Sequence, residues 1–197
     1  MKVSFEKALQ LLCDGEVVAI PTETVYGLAA LYNSEKAIEN LYRLKGRPDN
    51  KPLTVNLYRA QELEPFIKNR VPHLEKLLQL WPGPLTVVVE VKEEKILPSV
   101  RAGGTTCGFR VPDHEMTRCL LQKAGPLVLP SANLSGLPPA KSAEEVEQAF
   151  GDKVPILDGG TCPLGVASTV VAYDGGVWKI LREGSLPREK LQSILQS

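Results

Sequence analysis

The stretch VVAIPTETVYGLAALYNSEKAIENLYRLKGRPDNKPLTVNL, Val17 to Leu57, decides the fold class. Val17 to Ile20 is a short apolar run that reads as a buried strand. Ser34 opens a helix with Ile38, Leu41 and Leu44 on one face, and that helix ends at Gly46 and Pro48. Leu53 to Leu57 reads as the next strand. A strand, a helix and a strand in sequence are the signature of a layered α/β arrangement.

Outward from this unit the same alternation continues. Upstream, Ser4 caps a helix carrying Phe5, Ala8, Leu9 and Leu12 at helical spacing, with Gly15 at its C-terminal end. Downstream, Leu74, Leu77, Leu78 and Trp81 mark a helical stripe, and Leu85 to Val91 is β-branched enough for a strand. Further strands are expected at Gly108 to Val111, Leu127 to Leu129, Val154 to Leu157, Ser168 to Ala172 and Val177 to Leu181. Helices are expected from Asp113 through Leu121, from the Ser142/Glu145 capping box through Phe150, and over Pro187 to Leu195. The expected fold is α/β, a twisted mixed sheet flanked by helices. No repeat, low-complexity tract or linker interrupts it, so residues 1–197 are expected to form a single domain.

The 197 residues are 43% hydrophobic, enough to fill a core, and Lys+Arg equals Asp+Glu at 23 each, so no global basic field draws the chain to nucleic acid or membrane. Cys13, Cys107, Cys119 and Cys162 form no CxxC pair, and only His73 and His114 could join them, which fits four reduced, mostly buried thiols better than zinc or a disulfide framework. No run reaches membrane-spanning length and the N-terminus does not read as a signal peptide, so a soluble, cytoplasmic protein is expected.

Against the neutral total, Arg43, Lys45, Arg47 and Lys51 fall within nine residues opposed only by Asp49. A solvated loop is the ordinary reading of such a run, but Gly46, Pro48 and Pro52 restrict the backbone, and cations held in place suit phosphates. The usual nucleotide motif is missing. GTCPLGVAST, Gly160 to Thr169, has P-loop glycine spacing but Val166 where lysine belongs, and there is no GxGxxG, GxSxG or HExxH. With two histidines, imidazole acid-base chemistry is improbable, which leaves catalysis by alignment and charge neutralisation, the mode of phosphoryl and nucleotidyl transfer.

Polar segments recur at expected strand ends, where open α/β sheets gather ligands. PTETVYGL (Pro21 to Leu28) presents Thr22, Glu23, Thr24 and Tyr26. RAGGTTCGFRVP (Arg101 to Pro112) carries Arg110 between Phe109 and Val111, where burial would demand an anion, either a structural Asp or Glu or a substrate carboxylate. PSANLSG (Pro130 to Gly136) offers Ser131, Asn133 and Ser135. Ser168 begins one strand and Arg182 ends the next. Each alone reads as an ordinary turn or strand end; together they form a constellation.

The ordered set PTETVYGL, KGRP, RVP, PSANLSG, STVV and LREG resembles the YrdC-like family of threonylcarbamoyl-AMP synthases, over about Val17 to Gly184. The resemblance implies a large basic cleft and the synthesis of threonylcarbamoyl-adenylate and pyrophosphate from L-threonine, bicarbonate and ATP, with Mg2+ carried by ATP. It implies hand-off to a tRNA threonylcarbamoyl transferase. It assigns Lys45, Arg47, Lys51, Thr106, Asn133, Lys141 and Arg182 to ATP, with Lys45 and Arg47 positioning it. Thr24, Asn56, Arg110, Ser131 and Ser168 go to threonine, whose carboxylate Arg110 would grip in a bidentate manner. No metal ligand is assigned. Asn56 stands where many members have histidine, Lys51 where asparagine is frequent, and Lys141 where a small hydroxyl residue is usual. An amide does not titrate near neutral pH, so no acid-base duty falls to Asn56.

Two other functions compete. An RNA-binding or ribosome-assembly factor would use the cleft for phosphates without chemistry, including direct RNA contact. A carbamoyl-adenylate domain like that of hydrogenase-maturation carbamoyltransferases would bring zinc-finger cysteines and an acylphosphatase region, and neither is visible.

Overall fold

The computed structural model describes residues 1–196. In chain order the elements are β1 (Lys2–Val3), α1 (Phe5–Cys13), β2 (Val18–Ile20), β3 (Gly27–Leu31), α2 (Glu35–Lys45), β4 (Thr54–Asn56), a 3-10 turn (Ala60–Phe66), α3 (Leu74–Leu78), β5 (Leu85–Glu90), α4 (Pro98–Arg101), β6 (Thr106–Arg110), α5 (Glu115–Ala124), β7 (Leu127–Val128), α6 (Ala143–Phe150), β8 (Ile156–Leu157), β9 (Thr169–Asp174), β10 (Val177–Arg182) and α7 (Arg188–Gln196). The strands form one ten-stranded mixed sheet, ordered β1-β8-β2-β3-β7-β4-β6-β5-β9-β10.

Period-two alternation explains why the apolar runs are buried on both sides. Val17 and Ala19, with Leu28 and Ala30 of β3, pack with Ile38 and Leu41 of α2 in one cluster. Val18, Ile20 and Ala29 pack with Ala8 and Leu12 of α1 and with Leu120 and Leu121 of α5 in the other. The expected caps at three helices are present: the side chains of Ser4, Ser34 and Ser142 accept from the backbone N–H of Lys7, Ala37 and Glu145.

Four local expectations differ from the structure. The box at Ser142 is not reciprocal, because Glu145 Oε2 accepts from Lys141 N at 2.7 Å. The helix expected at Asp113 begins at Glu115, with His114 as an N-cap that makes no side-chain hydrogen bond. β3 has no counterpart among the expected strands: GLAAL lacks β-branched residues, and pairing to β2 and β7 overrides that weak propensity. Of the four free cysteines only Cys107 and Cys162 are buried, while Cys119 is half-buried and Cys13 exposed. Among the described residues no helix is long and apolar enough to cross a membrane.

Candidate functional site

The register of the central strands builds the site. β4 runs parallel to β6 with Val55 opposite Phe109 and Asn56 opposite Arg110. β5 runs antiparallel to β6, with Val87 opposite Phe109. Val55, Phe109 and Val87 therefore face the core. Their neighbours Thr54, Asn56, Arg110 and Thr86 face the other way and line a cleft with an empty volume, mouth included, of about 670 Å3. Gly108 lies between them, where an added Cβ would stand 3.3 Å from Thr86 and 3.4 Å from Thr54.

Other segments complete the walls. β9 runs parallel to β5 and begins one residue after Ser168, and β10 returns so that Arg182 lies opposite Val170. Ser168 Oγ is 2.9 Å from Thr86 Oγ1, and Arg182 donates to the Ser168 carbonyl from Nε and Nη2 and to its hydroxyl from Nη2. The turn after β2 is organised by Thr22, whose Oγ1 donates to Val25 O at 2.6 Å and accepts from the backbone of Thr24 and Val25. That places Thr24 Oγ1 to accept from Arg110 Nη2 at 3.0 Å.

The basic loop divides its cations. Gly46 caps α2 in the left-handed region at φ 56, turning the chain so that Lys45 points inward while Arg47 enters the loop. Lys45 is 2% exposed, and its Nζ donates to the carbonyls of Ser131 and Asn133 and to Asn133 Oδ1, tying α2 to the PSAN loop. Arg47 is anchored by Nε to Lys51 O and by Nη2 to Pro52 O, and it lines the cleft. The Lys51 side chain is exposed and does not line it.

Thr24, Arg47, Asn56, Arg110, Ser131, Ser168 and Arg182 thus meet in one cleft, brought from separate segments. Asn133 stands beside it, but its amide is engaged by Lys45 of α2 and, within its own loop, by Ser131, Leu134 and Leu137. Lys141 is exposed, with its stem against Gly165. Thr106 is exposed on the same face of β6 as Arg110, about 13 Å along the strand.

Electrostatically the cleft favours anions. Arg47, Arg110 and Arg182 line it, and among the described residues no carboxylate does. Burial and then the charge of Arg110 push the Arg182 guanidinium below its ordinary value, so the two cations sense each other. The anion demanded by buried Arg110 is Glu23, whose Oε1 lies 2.7 Å from Nη2. Since Nε also donates to Gly83 O, a two-nitrogen grip on a ligand carboxylate requires Arg110 to release one of these partners. The sequence names Glu23 among the polar residues of its turn but assigns it no role, and it does not single out Thr86, because a carboxylate in a turn and a threonine in a strand are each ordinary there. Among the described residues no group of three or more His, Cys, Asp or Glu could hold a metal ion.

Two expected results arise from this geometry. Burial, with Arg47 adding to it, pushes the Lys45 ammonium down to about 8, against 10.5 for an unperturbed lysine. Between those values the unfolded chain holds a proton that the fold gives up, so stability from this group rises with pH across the window. Denaturant titrations should show wild type gaining on Lys45→Met from pH 8 to 10.5; parallel pH profiles would mean that Nζ stays charged in the fold. At Gly184 a Cβ would fall against the Ala167 and Ser168 backbone. Gly184→Ala should therefore destabilise by about 2 kcal/mol in equilibrium unfolding, the scale of overpacking, and unchanged stability would contradict that close approach.

The sequence profile of the Sua5/YciO/YrdC family, described as "Telomere recombination", matches residues 10–184. The threonylcarbamoyl-AMP synthase of Bacillus subtilis is 37% identical over 193 residues, covering 96% of this chain and 56% of that protein. The threonylcarbamoyl-AMP synthase of Photorhabdus laumondii is 40% identical over 161 residues, 79% of this chain and 84% of that protein. The crystal structure of P. abyssi Sua5 complexed with L-threonine superposes with a TM-score of 0.94 at 34% identity, over 99% of this chain and 60% of that one. The chain thus spans little more than half the length of several of the relatives that it matches.

Proposed function

Because the chain belongs to the Sua5/YciO/YrdC family, we propose that it is a threonylcarbamoyl-AMP synthase, a nucleotidyltransferase that makes threonylcarbamoyl-adenylate and pyrophosphate from L-threonine, bicarbonate and ATP. The observation that carries the reading is the convergence of Arg47, Arg110 and Arg182 with the hydroxyls of Thr24, Ser131 and Ser168 in one cleft without a lining carboxylate. Two anions that repel each other need such cations between them.

In this reading the threonine carboxylate meets Arg110, and Thr24, Asn56, Ser131 and Ser168 supply polar contacts around the rest of the amino acid. Arg47 and Arg182 take the phosphates. Lys45 acts on the nucleotide side mainly by fixing the PSAN loop, with Asn133 as part of that loop. Thr106, Lys51 and Lys141 do not line the cleft, and in this reading they would meet ATP only where it extends beyond it. Magnesium enters as part of the MgATP substrate, held by phosphate and water oxygens.

The amine of threonine combines with bicarbonate to give a carbamate and water. A carbamate oxygen then attacks the α-phosphorus in line with departing pyrophosphate, forming the mixed anhydride. No protein nucleophile takes part; the side chains align the reactants and neutralise charge that develops on the phosphates. Both the carbamate and the anhydride are labile in water, so the product calls for prompt acyl transfer, and a tRNA threonylcarbamoyl transferase is the proposed acceptor.

The test is direct. Protein incubated with ATP, magnesium, bicarbonate and threonine should yield the threonylcarbamoyl-adenylate mass and pyrophosphate, and serine in place of threonine should yield much less. No adenylate, or equal product from serine, would defeat the reading.

A further inference from the structure

We propose that Glu23 is a positioning residue whose buried carboxylate clamps the Arg110 guanidinium, leaving Nη1 as the edge offered to the carboxylate of the amino-acid substrate. This rests on the amino-acid reading of the cleft given above.

Thr22 and Thr24 line the cleft and Glu23 between them does not. The side chain turns behind the cleft wall, where the residue is 6% exposed, and among the described residues neither carboxylate oxygen makes a hydrogen bond. Among the described residues its one ion-pair partner is Arg110 Nη2, at 2.7 Å. A carboxylate sealed from solvent and left without hydrogen bonds is unfavourable by itself. Its placement is accounted for by what it does to the arginine.

Arg110 is 8% exposed and is held from three directions: Gly83 O accepts from Nε at 3.2 Å, Thr24 Oγ1 accepts from Nη2 at 3.0 Å, and Glu23 pairs with the same Nη2. A guanidinium has five N–H donors, one on Nε and two on each Nη. The three contacts engage Nε and Nη2, and among the described residues nothing is bonded to Nη1. Arg110 lines the cleft, and Nη1 is the nitrogen left for a ligand there; its orientation is fixed by Gly83 and Glu23, which do not line the cleft, together with Thr24, which does. Replacing the carboxylate by an amide of the same size keeps the shape but removes the charge that holds Nη2. The guanidinium is then held only by Gly83 O and Thr24 Oγ1, it turns more readily, and selectivity for a ligand carboxylate falls.

The first test needs neither substrate nor variant. In 15N-arginine NMR of the wild type, Arg110 should show slow rotation about Nε–Cζ, with distinct Nη signals; averaged signals would overturn the clamp. The second compares binding of L-threonine with L-threonine amide, which lacks the carboxylate. Glu23→Gln should reduce the preference for threonine at least about tenfold, the scale of a charge-assisted hydrogen bond, while ATP affinity stays within about twofold. Rotation should become fast in the same variant. Glu23→Asp, which keeps the charge but shortens the reach, should fall between the two and covers the case in which the amide variant does not fold. An unchanged or increased preference for threonine in either variant would make Glu23 a structural partner or a competitor, and the proposal would be wrong. A wild type that holds Arg110 rigid yet binds no amino acid would instead sink the substrate reading and leave the clamp standing.

Discussion

Arg47→Ala is expected to lower threonine-dependent pyrophosphate release by at least about a hundredfold, the scale seen when a preorganised cation is taken from a phosphoryl-transfer site. The side chain is pinned to the carbonyls of Lys51 and Pro52 and stands in the cleft, so its charge is already oriented before substrate arrives. Those two bonds are to a loop with exposed side chains, and losing them costs about 1–2 kcal/mol each. The variant should therefore fold, and its thermal melt should lie close to that of wild type. Near-normal turnover by a folded Arg47→Ala would remove the phosphate role assigned to this residue.

Arg110→Ala should behave differently, with two separable effects. Removing the guanidinium leaves Glu23 buried without a counter-charge, and breaking such a pair destabilises by roughly 3–5 kcal/mol. The threonine requirement should also rise much more than the ATP requirement, because the cation assigned to the substrate carboxylate is gone. Adding Glu23→Gln to Arg110→Ala separates the two: the double variant should regain most of the lost stability in denaturant titrations and none of the threonine affinity. Equal increases in KM for both substrates would argue against the assignment of Arg110 to threonine. A single variant as stable as wild type would argue against the buried pair.

Much of the architecture was legible because its signals are local. Ser4, Ser34 and Ser142 announce helix starts since a hydroxyl at the N-cap satisfies a free N–H within three residues. The Val17 to Ile20 run announces a strand buried on both faces because its alternate residues enter different clusters. β3 was illegible for the converse reason: Gly27 to Leu31 is held by ladders to β2 and to β7, and β7 lies about a hundred residues away. Gly27 itself is dictated by that neighbour, since a Cβ there would run into Leu129.

The residue types of the site were legible too, as polar segments at strand ends. Their division of labour was not. Lys45 and Lys51 are equivalent cations in the sequence, yet a left-handed glycine and the reach of α2 bury Lys45 against the PSAN carbonyls, while the Lys51 side chain stays exposed outside the cleft. Arg110 could have had either a structural or a substrate anion by its sequence context, and the turn that Thr22 organises supplies the structural one, Glu23.

Composition, capping residues and apolar periodicity by themselves determined that this chain forms a mixed α/β sheet with unusual positive charge after its second helix, because each of those signals acts over a few neighbouring residues. Only the tertiary structure decided which charges share a cleft and which are neutralised within the protein. That outcome depends on strand register, where a shift of one residue would exchange the faces of Asn56 and Val55 or of Arg110 and Phe109. Register is set by packing between segments far apart in the chain, and no short stretch of sequence encodes it.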